Sequence, residues 1–334
     1  MIIYILHTNS VFRFLVLSLT RNLSLLSKIA RIMKRNDFIK TLGLGAITIS
    51  SKAYGLGKLT GANFKKLTIL HTNDWHSRIE PFPKGKSRNS NKGGAARRMK
   101  LISDIRKKEK NILLLDAGDI FQGTPYFNYF GGELEFKLMS KMGYDAATIG
   151  NHDFDGGMDG FKKAQKHANF DFITTNYDFS NTILDGRTIK HKIIEVDGIK
   201  IGLLSANIEL EGLVPKKLYK ETKYLNPIEL ANDKAKFLKY DKKCDYIVCL
   251  SHLGYKYRND KISDISLAEN SSNIDLIIGG HTHTFMRQAD NILNKKGKNV
   301  IVTQAGWAGI LLGQLDIYFT KKSEFIWANS SFNE

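Results

Sequence analysis

Five short blocks carry side chains that bind metals or move protons, and each closes a strand-like apolar run. In chain order they are HTNDWH (His71 to His76), LLLDAGD (Leu113 to Asp119), GNHDFD (Gly150 to Asp155), LSHLG (Leu250 to Gly254) and GGHTH (Gly279 to His283). Asp74, His76, Asp119, Asn151, His252, His281 and His283 are the candidate metal ligands. Carboxylate and amide oxygens mixed with imidazole suit divalent ions. Seven such donors are enough for two ions, a device used to hydrolyse phosphate esters. No block alone carries this reading, because an isolated His is more often a satisfied core residue. The order and spacing of all five carry it.

Asp74 and His76 are two apart, as are His281 and His283, so each pair projects from one side of a strand end. Asp116 and Asp119 close an apolar run, where two acids repel unless a cation or donors offset them. Asp119 is assigned as the bridging carboxylate, and Asp116 as an acceptor of backbone N–H groups. In GNHDFD, Asn151 offers an amide oxygen while His152 is free to act on substrate. Asp155, three residues on, can fix the His152 ring. His252 ends a buried-looking strand, where a polar side chain needs a reason. His71, His167 and His191 fall outside the pattern and read as structural.

Strand-like and helix-like runs alternate from Lys66 onward. KLTILHTND is followed by a helix over GGAARRMKLISDIRKKEK, then by the strand NILLLDAGD, a glycine-rich loop FQGTPYFNYFGG and a helix over ELEFKLMSKMG. The strand DAATIGNHD, a helix over MDGFKKAQKHAN and the strand FDFITTN come next. A hairpin turns at Asp197-Gly198. A helix over PIELANDKAKFLKY, the strand CDYIVCLSH, a short helix near ISDISLAEN and the strand IDLIIGGH follow, and NVIVTQAG and ILLGQLDIYF close the domain. This order implies layered α/β with mixed sheets. Most polar blocks fall at C-terminal strand ends, where open α/β sheets bind ligands. Residues 81–94 read as a solvated loop beside the first block.

The net charge of +17 is unevenly placed. Residues 1–66 hold eleven Lys and Arg against Asp37 alone, leaving +7 for the rest of the chain. That mild excess suits an anionic substrate and does not call for nucleic acid. Cys244 and Cys249 lie five apart in one strand-like run, roughly 16 Å apart and on opposite faces, too far to bridge.

Met33 to Lys40 forms a basic head, TLGLGAITIS a short apolar segment, and Ser51 and Ala53 a small-residue exit. These are the parts of an export signal. KRNDFIK resembles a twin-arginine signal with Asn36 in place of the second Arg, so either export route fits. The organisation expected is an over-extended start at 1–32, the signal at 33–54, a linker at 55–65 and the catalytic domain at 66–334. Arg13, Arg21 and Lys28 interrupt the early apolar runs, so no membrane span is expected there.

The five blocks resemble the calcineurin-like metallophosphoesterases, with their DxH, GD, GNH, lone H and GHxH pattern. HTNDWH, GDIFQGTP, GNHDFD and TQAGWAG resemble the 5′-nucleotidase branch in particular, over roughly Lys66 to Phe319. The resemblance implies a four-layer αββα sandwich of two mixed sheets flanked by helices, and two divalent ions such as Zn or Mn. Asp74, His76, Asp119 and His283 would hold one ion, and Asp119, Asn151, His252 and His281 the other. His152 with Asp155 would be the catalytic pair. Hydroxide generated between the ions would attack a phosphate ester or nucleotide in line, in the periplasm or at the cell surface. A cyclic-nucleotide phosphodiesterase, a sulfur-ester hydrolase, or a metal-stabilised subunit dependent on a partner are the alternatives. The family's second, nucleotide-stacking domain has no counterpart before Glu334, which points to a separate protein supplying it.

Overall fold

The first sheet of the computed structural model grows outward from a buried apolar strand, β1 (Lys65–Thr72). The structure describes residues 64–334; the expected extension, the export signal and linker residues 55–63 lie outside the described part. Within β1, Leu67 and Ile69 point into the space between two sheets, while Leu70 points to the helices outside. Beside β1 run β2 (Ile112–Asp116), β3 (Ala146–Ala147) and β4 (Asp171–Phe172), all parallel. On its other side, β13 (Leu312–Phe319) and β14 (Phe325–Asn333) are antiparallel.

The second sheet is also mixed. Its strands are β6 (Lys192–Val196), β7 (Ile199–Ala206), β9 (Tyr246–Ser251), β10 (Leu276–Ile278), β11 (Asp290–Leu293) and β12 (Asn299–Thr303). They lie in the order β11-β12-β10-β9-β7-β6, with β7, β9, β10 and β12 parallel. Leu113, Leu115, Leu203, Val248, Leu276 and Ile317 fill the core between the sheets. A minor pair joins β5 (Tyr177–Asp178) to β8 (Lys223–Tyr224).

Helices cover both outer faces. α1 (Ala95–Lys108), α3 (Glu133–Met142) and α4 (Gly157–Gln165) bury Ile102, Phe136, Met139 and Phe161 against the first sheet. α6 (Pro227–Lys236) and α7 (Asp264–Glu269) bury Ala231, Ala235 and Leu267 against the second. Asn226 caps α6 by accepting from the Ile228 and Glu229 amides, and Ser263 with Ser266 forms a capping box on α7. The architecture is therefore helix, sheet, sheet, helix, as the family resemblance implied.

The expected strands around GNHDFD and FDFITTN shrink to two residues each, β3 and β4, because the chain turns away at once to build the site. The glycine-rich loop 121–132 contains a helix, α2 (Pro125–Phe130), started by a proline at its first turn and ended by left-handed Gly131. A four-residue helix, α5 (Lys216–Tyr219), precedes β8. β11, β14, β5 and β8 have no strong alternating signal and form through their neighbours. Residues 81–94 close on themselves, with the Phe82 amide donating to the Lys92 carbonyl and the Asn91 amide to the Phe82 carbonyl. Cys244 and Cys249 are buried free thiols. His71 is also fully buried, and burial pushes its pKa down to about 3.

Candidate metal centre

All seven predicted ligands come together at the C-terminal ends of parallel strands from both sheets. Asp74 and His76 follow β1, and Asp119 follows β2. Asn151 follows β3, His252 follows β9, and His281 and His283 follow β10. Asp74, His76 and His283 form one group able to hold an ion; Asp119, His252 and His281 form a second. Within each group the ligand atoms lie within 4.8 Å of one another. Asn151 Oδ1 is 2.9 Å from His281 Nδ1, which attaches it to the second group. Asp119 Oδ2 is 3.1 Å from His252 Nε2 and 3.9 Å from His76 Nε2, so one carboxylate oxygen faces both groups.

The backbone is forced into unusual shapes to do this. Asp74, His76, Asp119, His281 and His283 all have positive φ, between 51° and 71°. Such conformations cost of order 1–3 kcal/mol each and persist where surrounding structure holds them. Here the amides of Asp74 and His76 bond the Gly118 and Asp119 carbonyls, locking the first loop to the second. The His281 amide donates to both Asp74 carboxylate oxygens at 3.0 Å. Two glycines of the motifs make room. A Cβ on Gly150 would stand 2.2 Å from Asp119 Oδ1, and one on Gly280 would stand 2.8 Å from His252 Nδ1.

The donor set suits a bound cation. His252 Nδ1 lies 2.6 Å from the Ala117 carbonyl, which leaves the buried Nε2 facing Asp119 Oδ2 at 3.1 Å. Burial opposes charge on that ring, but the adjacent Asp119 carboxylate pulls its pKa up to about 10. Asp119 is itself held low: burial opposes its charge, and His252 overrides it. Burial lowers the pKa of His76, and that of His281 to about 4.

His152 sits beside these groups rather than within them. Its amide donates to Asp119 Oδ1 at 2.8 Å, and its Nδ1 is 2.8 Å from Asp155 Oδ2. That contact with Asp155 raises the His152 pKa against the effect of burial. Asp116 accepts the Gly118 amide and the Thr72 hydroxyl, as expected of a loop-holding acid.

Three contributors escaped the sequence reading. Asp153 is fully buried and accepts the amides of Asp119, Ile120, Phe121 and Gly150, pinning the second and third loops together. Its only sequence signal was an acid inside GNHDFD. Asn73 donates to Asp74 Oδ2 and to the Gly306 carbonyl. Trp307 stacks on His283, 5.3 Å between centroids and 6° from parallel.

Comparison with known proteins agrees with this geometry. The chain is 33% identical to a snake venom 5′-nucleotidase of Gloydius brevicauda, over 78% of this chain and 46% of that one. It is 30% identical to a human 5′-nucleotidase, over 78% and 48%. The crystal structure of a 5′-nucleotidase precursor from Thermus thermophilus superposes with a TM-score of 0.71 at 30% identity. That match covers 80% of this chain and 54% of that one. The chain thus spans about half the length of these relatives. The family model for calcineurin-like phosphoesterase matches residues 67–285, a span that runs from inside β1 to just past His283 and holds every candidate ligand described above. The chain belongs to the calcineurin-like phosphoesterases.

Proposed function

We propose that this chain is an exported phosphoesterase that hydrolyses phosphate monoesters, with nucleoside 5′-monophosphates as its substrate class. The observation that carries the reading is His152. It stands against both ligand groups, is 38% exposed at its side chain, and is held by Asp155 at 2.8 Å. Its ring centroid is 5.3 Å from that of His76.

Calcineurin-like phosphoesterases use two divalent ions, and two ligand groups stand ready here. In this reading Asp74, His76 and His283 hold one ion, Asn151, His252 and His281 the other, and Asp119 both. When bound, such a pair supplies an activated water and neutralises charge on the phosphoryl oxygens. The remaining work belongs to the protein. Asp155 fixes the His152 ring through Nδ1 and favours its imidazolium form. The second proton, on Nε2, then faces the leaving oxygen. Its transfer to the departing alkoxide is general acid catalysis, typically worth about 10²–10⁴-fold.

Export rests on the pattern from Met33 to Ala53. No helix among the described residues is long and apolar enough to cross a membrane. The relatives are about twice as long as the shared region, so this proposal concerns the part of them that the chain matches.

The test is a hydrolysis panel on the purified chain loaded with Mn²⁺, Zn²⁺ or Co²⁺. Nucleoside monophosphates and aryl monoesters should be cleaved and EDTA should abolish cleavage. Turnover confined to cyclic nucleotides, diesters or sulfur esters would replace this reading.

A further inference from the structure

Four of the six residues of α2 are aromatic, and only one of them is placed by the core. Phe127 turns inward and packs on it, with its ring 5.3 Å from that of buried Phe121. Tyr126, Tyr129 and Phe130 lie outside that core. Tyr129 is 84% exposed and Phe130 50%, on a helix surface that water normally fills with polar groups. A cluster of exposed apolar side chains of this kind marks a contact surface.

Two of these rings are arranged. Tyr126 and Phe130, one turn apart, are 17° from parallel with 6.4 Å between centroids. That is the far end of the range over which ring pairs attract, so neither ring closes off the other. The Tyr126 hydroxyl donates to Glu80 Oε1 at 3.0 Å, which fixes its ring.

α2 starts at the edge of the metal centre. Gln122 and Gly123, just before it, have φ of 67° and 112°, and a Cβ on Gly123 would stand 3.0 Å from His76 Cβ. Thr124 Oγ donates to the Ser77 carbonyl at 2.5 Å. From the other side, a Cβ on Gly156 would meet Phe127 Cζ at 3.4 Å, and Gly156 follows Asp155, the partner of His152. The helix is therefore wedged between the loop of candidate ligand His76 and the turn that carries His152. Tyr126 is three residues beyond Gly123, so its Cα is no more than about 11 Å from that contact.

We propose that Tyr126 and Phe130 are specificity-determining residues that stack the base of a nucleoside monophosphate whose phosphoryl group lies at the metal centre. This rests on the phosphomonoesterase reading above and adds what reads the leaving group. In that reading the organic part of the ester departs on the side of His152, which supplies its proton, and α2 borders that side. Every base has a face that stacks on an aromatic ring. The platform therefore separates nucleosides from sugars and small alcohols, and separates one base from another only weakly.

Adenosine 5′-monophosphate and ribose 5-phosphate share one leaving alkoxide and differ in the base, so their ratio of kcat/KM isolates contacts to the base. On the Mn²⁺-loaded full chain that ratio should be about tenfold or more, the scale of one base stacked on an aromatic ring. Tyr126→Ala and Phe130→Ala should each lower it several-fold, and the double variant should bring it close to one at equal metal content. Phe130→Trp, which keeps an aromatic face, should retain it. A ratio near one in the natural chain, or a ratio kept by the double variant, would overturn the platform and leave the phosphomonoesterase reading standing, since both esters are still cleaved. A double variant that keeps the ratio but dissociates an oligomer in light scattering would make the rings a contact between copies instead. No turnover of either ester would overturn the phosphomonoesterase reading, and the platform with it.

Discussion

The Nε2 atoms of His76 and His283 face each other across 2.9 Å. His76 Nδ1 lies 3.3 Å from the Phe121 carbonyl, a position that holds the ring proton on Nδ1. His76 Nε2 is then a lone pair, and Asp74 Oδ1, 3.3 Å from His283 Nε2, is a second concentration of negative charge. Lone pairs and a carboxylate converge in this way around a cation. Removing metal with EDTA should therefore lower the thermal midpoint by on the order of 10 °C. His283→Ala should abolish most of that difference, which scanning fluorimetry with and without chelator will show.

Asp119 Oδ2 faces both ligand groups, so its loss should empty both. Asp119→Asn should bind less than half the metal of the natural chain by elemental analysis and show no turnover, with an unchanged far-ultraviolet circular dichroism spectrum. Full occupancy in that variant would remove Asp119 from the bridging position.

His152 touches substrate in our reading, not metal. His152→Asn should keep its metal yet lose about 10²-fold or more in kcat on alkyl monoesters. The loss should shrink on nitrophenyl phosphate, whose leaving group needs no proton. Equal losses on both would sink the acid role.

Contact with Asp155 raises the His152 pKa, so its protonated form persists to higher pH than in a free histidine. Activity that needs that proton falls as pH rises through the raised value. Asp155→Asn should move the alkaline limb of kcat to lower pH, toward the ordinary histidine range, and only for poor leaving groups. An unmoved limb would show that another group sets it.

Asp153 answers four buried amides around the centre. Asp153→Ala would leave them unpaired, at about 1–3 kcal/mol each before relaxation. We expect roughly 3 kcal/mol or more of lost stability in urea unfolding, together with lost metal. A cost under about 1 kcal/mol would mean that water replaces the carboxylate freely.

Much of this protein is legible from its residues. The ligand types are chemical facts of the five blocks, and the strands before them are apolar runs that can only be buried. Asp197 and Gly198, both at positive φ, form the turn that their residue types demand. Helices with strong periodicity, such as α1 and α6, follow directly. α2 did not, because its exposed aromatics have no apolar stripe; Pro125 and Gly131 were the available signals. β14 mixes polar and apolar residues and becomes a strand only by pairing with β13.

The set of ligating side chains and the strand ends that carry them follow from the order of amino acids, since both depend on composition within a few residues. Which atoms share an ion depends on long-range packing instead. His76 and His283 are 207 residues apart, and their meeting depends on how two sheets stack and on loops held at positive φ. Asp153 belongs to the same class. Its four bonds reach back more than thirty residues to the second loop as well as to Gly150 nearby, and their worth comes from burial that no local pattern records.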